Sequence, residues 1–343
     1  MIRAGAHWLR SPRAKSRGQA EHSRGGAKVS ASLDGVSRLR STRTAWAGLF
    51  LLTSACATAP EASPQVAAPA PAGAPAAAAA PAEPRVPPAM QWLYGSGEGA
   101  AASIQAYHGF RDHVLAAAKA RPVDSVVLAE GVTLAAPRFV PCGGKPLAVV
   151  LDADETAIQN LGLEYALARR GVEYDRELHQ RWQAEGVSEV APMPGAVTAL
   201  QAVRAAGVKV IFNTNRDAAQ AATAERALSG AGLGPVRHGD TLFLQGDPPG
   251  DRGKDGRRRL IAERYCVVAM AGDQLGDFSD LFNARDLATG ERRAAAGGGA
   301  FARLWGNGWF LLSNPVYGPG LRGGFDDVFP AATRWADPQG GND

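Results

Sequence analysis

The segment LAVVLDADET (147–156) carries five apolar residues into Asp152, Asp154 and Glu155, followed by Thr156. Three further segments hold side chains of matching chemistry. FNTNRD (212–217) brings Asn213, Thr214, Asn215 and Arg216, GKDGRR (253–258) brings Lys254, and AGDQLGDFSD (271–280) brings Asp273 and Asp277. Clustered carboxylates repel and cannot all stay ionised at close range without a cation. Asp152, Asp154 and Asp273 are hard oxygen donors, and Mg²⁺ prefers a few carboxylates completed by water and phosphate oxygens. Such a site recruits phosphate. One carboxylate can then act as nucleophile through an aspartyl-phosphate, and a second, two residues on, as general acid and then base. Thr214 and Lys254 are suited to hold the transferring group, whose charge is the main thing to be stabilised. By composition, roughly one chain of this length in twenty contains a DxDxT. Helix capping by Asp152 or Asp154 would explain one aspartate, but it leaves the other, and Asp273 and Asp277, without a role.

These residues must be positioned by the elements before them. Residues 147–151, VKVIF (208–212) and CVVAMAG (266–272) are short apolar runs of the kind buried on both faces of a parallel sheet; Thr241–Leu244 reads as a further short strand. Helical patterns occupy Ala100 to about Arg121, much of 157–185, Gly195–Ala206, Ala218–Leu228 and Arg257–Arg264. Strand and helix alternate, which predicts an α/β domain whose parallel sheet has right-handed crossovers. In such sheets the ligand site lies beyond the carboxyl ends of the strands, where the acidic, hydroxyl and basic groups fall.

The four segments resemble the motifs of haloacid-dehalogenase-type phosphatases. More closely, the chain resembles the secreted bacterial acid phosphatases of the 5′-nucleotidase lipoprotein e group, through LDADET, FNTNRD, AGDQLGDFSD, QWLYGSGEGAAASIQAYHGF (91–110), PMPGAV (192–197) and FLLSNPVYG (310–318). The resemblance spans roughly residues 90–320. It implies a Rossmann-like haloacid-dehalogenase fold, a central parallel sheet flanked by helices with a small, mainly helical cap at about 157–194. It also implies Asp152 as nucleophile and Asp154 as general acid/base, with its backbone carbonyl on Mg²⁺. Asp273 would complete the protein ligands, Asp277 and Asn215 would support the site, Thr214 and Lys254 would stand at the second and third motifs, and Arg216 would be structural or phosphate-proximal. Aromatic side chains of the cap can sandwich a nucleobase in this group, and Tyr165, Trp182 and Tyr317 are candidates by position. Trp182 is the one that ordinary packing explains best, and His179 and His238 have no partner legible in the sequence. Gln159-Asn160-Leu161 departs from the group's Asp-Asn-Ser, Asn213 stands where an apolar residue is usual, and ARDLATGERRAAAGGGA (284–300) has no assignment.

The termini are of different character. Residues 1–44 hold ten Lys/Arg against two Asp/Glu, so the net charge of +4 is a property of the leader and the remainder is mildly acidic. That argues against a nucleic-acid partner. In RLRSTRTAWAGLFLLTSAC (38–56) a basic stretch, a short apolar run and small residues precede Cys56, the layout of a secretory signal. The run is too short for a bilayer core of about 30 Å. LTSAC resembles a lipobox, with Thr53 where Leu is usual, and Ala57 after the Cys resembles outer-membrane sorting. Residues 1–56 are therefore expected to be an extension and lipoprotein signal, with 1 to about 35 ahead of the true start and Cys56 lipidated. Residues 57–89, mainly Ala and Pro, read as a disordered tether, 90–330 as the phosphatase domain and 331–343 as a tail. Cys142 and Cys266 then lie in an oxidising compartment, either paired or as two buried thiols.

The expectation is a Mg²⁺-dependent acid phosphatase acting on small phosphomonoesters, nucleoside 5′-monophosphates in particular, anchored by lipid to the outer membrane and facing the periplasm or exterior. The alternatives are a broad phosphomonoesterase or phosphotransferase without nucleotide preference, and a non-catalytic binding lipoprotein. A dehalogenase is disfavoured, because Asp154 serves an oxygen leaving group and a halide needs no proton.

Overall fold

A computed structural model describes residues 84–248 and 252–335. Cys56, the signal, most of the Ala/Pro-rich segment and residues 336–343 lie outside the described residues. The strands are β1 Asp124–Leu128, β2 Phe139–Pro141, β3 Leu147–Leu151, β4 Ile158–Gln159, β5 Ala191–Pro192, β6 Lys209–Asp217, β7 Leu242–Gln245, β8 Cys266–Gly272 and β9 Trp309–Leu311. The longer helices are α1 Gly97–Lys119, α2 Leu161–Arg170, α3 Arg176–Glu185, α4 Ala196–Ala205, α5 Ala221–Gly230, α6 Lys254–Arg264 and α7 Thr289–Gly297.

Five strands form one parallel sheet in the order β7-β6-β3-β8-β9. The chain leaves β3 to one side for β6 and β7 and returns to its other side for β8 and β9. The carboxyl end of β3 is thus the point where the strand order reverses, the place where open α/β sheets bind ligands. Alternate residues of the central strands enter opposite cores, Val149, Leu151, Val210 and Phe212 on one face and Ala148, Val150, Ile211 and Met270 on the other. Burial on both faces is why β3 and β8 are apolar throughout and why β6 is apolar over Val210–Phe212.

Helix α1 is capped by Ser96, whose hydroxyl accepts from the Gly99 amide at 2.9 Å. It is tied to the β3 side of the domain by Tyr107, whose hydroxyl donates to the Thr156 carbonyl at 2.7 Å, and by Ser103, which donates to the Pro194 carbonyl at 2.8 Å. On the other face, Trp309 of β9 is fully buried, stacks on Phe301 at 5.4 Å and donates its indole N–H to the Val126 carbonyl. β4 and β5 pair antiparallel and form the neck of an insertion that holds α2 and α3.

Several elements depart from the sequence reading. The helical pattern over 157–185 is two helices after a two-residue strand, divided at Gly171, which closes α2 in the left-handed region at φ 67°. β6 continues to Asp217, so Thr214, Asn215 and Arg216 stand on the strand rather than in the loop after it. The β1–β2 ribbon and β9 were not expected, and the unassigned 284–300 stretch contains α7. Cys142 and Cys266 are disulfide-bonded across 124 residues, joining the approach to β3 to the start of β8.

Cross-links closing loops of this length stabilise by about 4–5 kcal/mol in the chain-entropy picture. The Cys142→Ser/Cys266→Ser double variant is expected to lower unfolding stability by a few kcal/mol in denaturant titration. A midpoint equal to wild type would contradict a structural bridge.

Candidate active site

Three loops converge where β3, β6 and β8 end. Asp152 follows β3 directly, and its backbone N–H donates to the Ala271 carbonyl of β8. Asp273 follows β8, and Asp277 lies in the short 3₁₀ turn Leu275–Asp277. Gly272 permits this approach: a Cβ there would lie 2.2 Å from the Cβ of Asp277. Carboxylate oxygens of Asp152, Asp273 and Asp277 all lie within 4.8 Å of one another. Lys254 opens α6 and reaches between two of them, its buried ammonium donating to Asp152 Oδ1 and, at 2.7 Å, to Asp277 Oδ1.

One lysine does not balance three buried carboxylates. Burial drives the Asp152 carboxyl well above its usual range; Lys254 opposes this, while Asp277 and Asp273 add to it. Burial, then the charge of Asp277, raises Asp273 to about 7, against hydrogen bonds from Asn314 and Gln274. Those bonds, 2.8 and 2.9 Å to Asp273 Oδ2, fix its carboxylate together with Thr156, which donates to Oδ1 at 3.1 Å. A preoriented, crowded set of hard oxygens with surplus negative charge fits a divalent cation.

Asp154 faces a different partner. Burial opposes its ionisation, but the charge and hydrogen bonds of Arg216, with the hydrogen bond from Asn160, together hold the carboxyl below its usual range. The guanidinium forks onto it, with Nη2–Oδ1 at 2.7 Å and Nε–Oδ2 at 3.2 Å. Asn160 braces both groups, donating to Asp154 Oδ1 at 2.8 Å and accepting from Arg216 Nη2 at 3.0 Å. Trp182 donates its indole N–H to the same Asn160 oxygen at 2.9 Å, so it buttresses the site. Thr214 is fully buried and lines the cavity. Asn215 also lines it and accepts from Arg257 at 2.9 Å.

Glu155 anchors the loop. It is fully buried and sits at φ 52°, a left-handed conformation unusual for a side-chain-bearing residue. Its carboxyl accepts from the Asn160 amide at 2.8 Å, from Tyr94 at 3.3 Å and from Tyr317. Tyr94 comes from the π-helical turn Gln91–Gly95, and Tyr317 from the loop after β9. Both quoted flanking motifs, QWLYGSGE and SNPVYG, thus deliver a hydroxyl to one carboxyl. Burial, then the charge of Asp154, lifts Glu155 to about 7, against the bonds from Tyr317 and Asn160.

A cavity of about 840 Å³ opens over these residues and is roofed by the insertion. Tyr317 lines it, as expected of a substrate contact. Tyr165 does not: it is 67% exposed and outside the cavity wall. Leu163, Glu164 and Leu167 form the inward face of α2, and Tyr165 falls on its outer face. The aromatic residues that do line the cavity from the insertion are Tyr174 and His179, with ring centroids 5.9 Å apart. His179 is therefore a cavity residue, and burial pushes its imidazole below the usual value. The turn at Gly171 and the cap at Asp175, which accepts from the Leu178 amide, were the signals that could have found them. His238 also has a partner, Asp247 Oδ2 at 2.7 Å. A shallower apolar groove of about 860 Å³ between α1 and β9 offers His108 and no carboxylate, so it is not the reaction site.

The profile of the HAD superfamily, subfamily IIIB (acid phosphatase), matches residues 108–320, and the chain belongs to that family. It is a phosphomonoester hydrolase of the acid phosphatase type. Two crystal structures of the class C acid phosphatase from Bacillus anthracis share the fold. One, with tungstate bound, is 23% identical with a TM-score of 0.55; the other is 24% identical with a TM-score of 0.54. Each match covers 68% of this chain and 84% of that one. No curated protein sequence matches.

Glu155 and Glu164 are both raised from 4.5 to about 7. Between those values the folded chain keeps protons that the unfolded chain releases, so their contribution is full below about pH 4.5 and is lost as pH rises through 7. In metal-free protein, Tm is expected to fall from pH 5 to pH 7.5, and to fall less in Glu164→Gln. A flat wild-type profile would contradict this.

Proposed function

We propose that this chain is a Mg²⁺-dependent phosphatase that hydrolyses nucleoside 5′-monophosphates through an aspartyl-phosphate. The observation that carries the reading is the convergence of Asp152, Asp273 and Asp277 on one point with Lys254 wedged among them. Asp152 and Asp273 would hold the ion, with the Asp154 backbone carbonyl and with Asp277 beside them. The ion, when bound, neutralises the carboxylates and the phosphate so that the two can approach.

Asp152 is the nucleophile. Its Oδ1 is occupied by Lys254, which leaves Oδ2 to attack phosphorus. The P–O bond to the alcohol breaks as the acyl phosphate forms, and Asp154 supplies the proton that the departing oxygen needs. Lys254 and Thr214 hold the phosphoryl oxygens. Asp154 then takes a proton from the water that attacks the acyl phosphate, which returns Asp152 and frees phosphate. In its present pairing Asp154 is ionised by Arg216. A phosphate dianion competes for that guanidinium, which loosens the pair and lets Asp154 be protonated. Tungstate, a phosphate-like oxyanion, is bound in the class C enzyme of the same fold, which supports an oxyanion subsite here.

A cavity of about 840 Å³ is far larger than phosphate alone requires, and Tyr174, His179 and Tyr317 line it. That favours a nucleoside over a small alcohol, with base stacking contributing about 1–3 kcal/mol. The lipobox at Cys56 supports an outer-membrane lipoprotein facing the periplasm or exterior. Two or more acyl chains would hold it there, and it would dephosphorylate charged esters that cross membranes poorly.

Asp152→Asn is expected to reduce phosphate release from adenosine 5′-monophosphate by more than about 10³-fold, and EDTA to abolish it reversibly. Turnover persisting in the variant would overturn the nucleophile. In a bacterial host, Cys56→Ala is expected to move the protein from the membrane to the soluble fraction and to end labelling by radioactive palmitate. Labelling of the variant would overturn the anchor.

A further inference from the structure

The cavity wall formed by α2 contains one residue that the chemistry above does not use. Leu163 and Leu167 give this wall an apolar surface, joined across the cavity by Val316 and Leu321. Between the two leucines stands Glu164, which lines the cavity while only 5% exposed. Among the described residues no hydrogen bond or ion pair reaches its carboxyl. The ionisable groups that sense it are Tyr94 and Glu155, neither of them a cation.

Its oxygens are not among the fully buried unpaired atoms, so they open onto the cavity; setting a carboxyl in an apolar wall still costs stability, and a leucine would complete the wall. Glu164 lies in the first turn of α2, where a carboxylate gains from the helix N-terminus. An exposed side chain in that turn would gain the same without burial. The residue therefore makes sense as one whose partner arrives with the substrate. Burial lifts its carboxyl to about 7. In mildly acidic solution it is thus un-ionised, an O–H donor beside a C=O acceptor, and it matches a neutral polar edge better than a cation.

We propose that Glu164 is a specificity residue of this cavity and hydrogen-bonds a neutral N–H or O–H group on the alcohol portion of the phosphomonoester, whose apolar body packs on Leu163 and Leu167. This rests on the phosphatase reading of the same cavity. It narrows the substrate class to esters whose leaving group combines a hydrophobic face with a donor-bearing edge, as a nucleoside does and a plain aryl alcohol does not.

The test compares adenosine 5′-monophosphate with 1-naphthyl phosphate, a bulky ester without donors, in wild type, Glu164→Leu and Glu164→Gln. The ratio of kcat/KM for the nucleotide over the naphthyl ester is expected to fall at least tenfold in Glu164→Leu, mainly through KM for the nucleotide. Glu164→Gln, which keeps a hydrogen-bonding edge, is expected to retain most of the ratio. The Tm of Glu164→Leu is expected to equal or exceed that of wild type, because a carboxyl set in an apolar wall has been replaced by an apolar side chain. A ratio within twofold of wild type in Glu164→Leu overturns the proposal. So does a lower Tm with equal loss of turnover on both esters, which marks a residue that only holds the fold. Calorimetric binding of adenosine, the product alcohol, reads the same contact without turnover and is expected to weaken at least tenfold in Glu164→Leu. If wild type released phosphate from neither ester, the phosphatase reading would fail, and adenosine binding alone would decide the role of Glu164.

Discussion

The charge imbalance at the end of the central strand governs the rest of the molecule. Asp152, Asp273 and Asp277 crowd into a buried space with Lys254 as their close cation. Such a set is unstable unless protons or a metal ion complete it. The surrounding structure is built to hold it together all the same. β3 and β8 lie side by side and present Asp152 and Asp273 from adjacent strand ends. Asn314, Gln274 and Thr156 each bind Asp273, so its carboxylate cannot turn away to relieve the repulsion. Raised carboxyls and the chemistry of phosphate transfer are two consequences of the same crowding.

A second balance sits beside the first. Asp154 is matched by Arg216 and is held ionised, two residues from a carboxyl that burial pushes the other way. Two aspartates on one short loop thus have opposite protonation tendencies, the reverse of what a nucleophile at Asp152 and a proton donor at Asp154 need, so a cation beside Asp152 and an anion drawing Arg216 off Asp154 would have to invert them. Glu155 lies next to Asp154 and ties the loop to Tyr94 and Tyr317, 61 residues before it and 162 after it. Segments from both ends of the domain are therefore fastened to the reacting loop.

The parts of this arrangement that could be read from sequence are those where local composition contradicts local structure. LAVVL and CVVAMAG are apolar on every residue, so strands covered on both faces followed directly, and aspartates placed straight after them stood out because burial makes them costly. What stayed hidden depends on distance or on helix phase. Nothing near Glu155 announces that Tyr94 and Tyr317 will meet on it. Position in the sequence points to Tyr165 as a cavity residue and passes over Tyr174 and His179, because the break at Gly171 and the rotation of α2 decide which residues face inward. β9 is three residues long directly after Gly308, too short to show a period. The disulfide between Cys142 and Cys266 was one of two open readings, since only the pairing of β3 with β8 brings the cysteines together.

The claim that a metal ion completes an overcrowded carboxylate set is tested most directly by calorimetric titration of Mg²⁺ into the metal-free protein at pH 6.5, repeated in buffers of different ionisation enthalpy. The structure predicts one ion per chain with release of protons, because the Asp152 and Asp273 carboxyls are raised by burial and must ionise to bind it. Failure to bind Mg²⁺, or binding with no proton release, would contradict it.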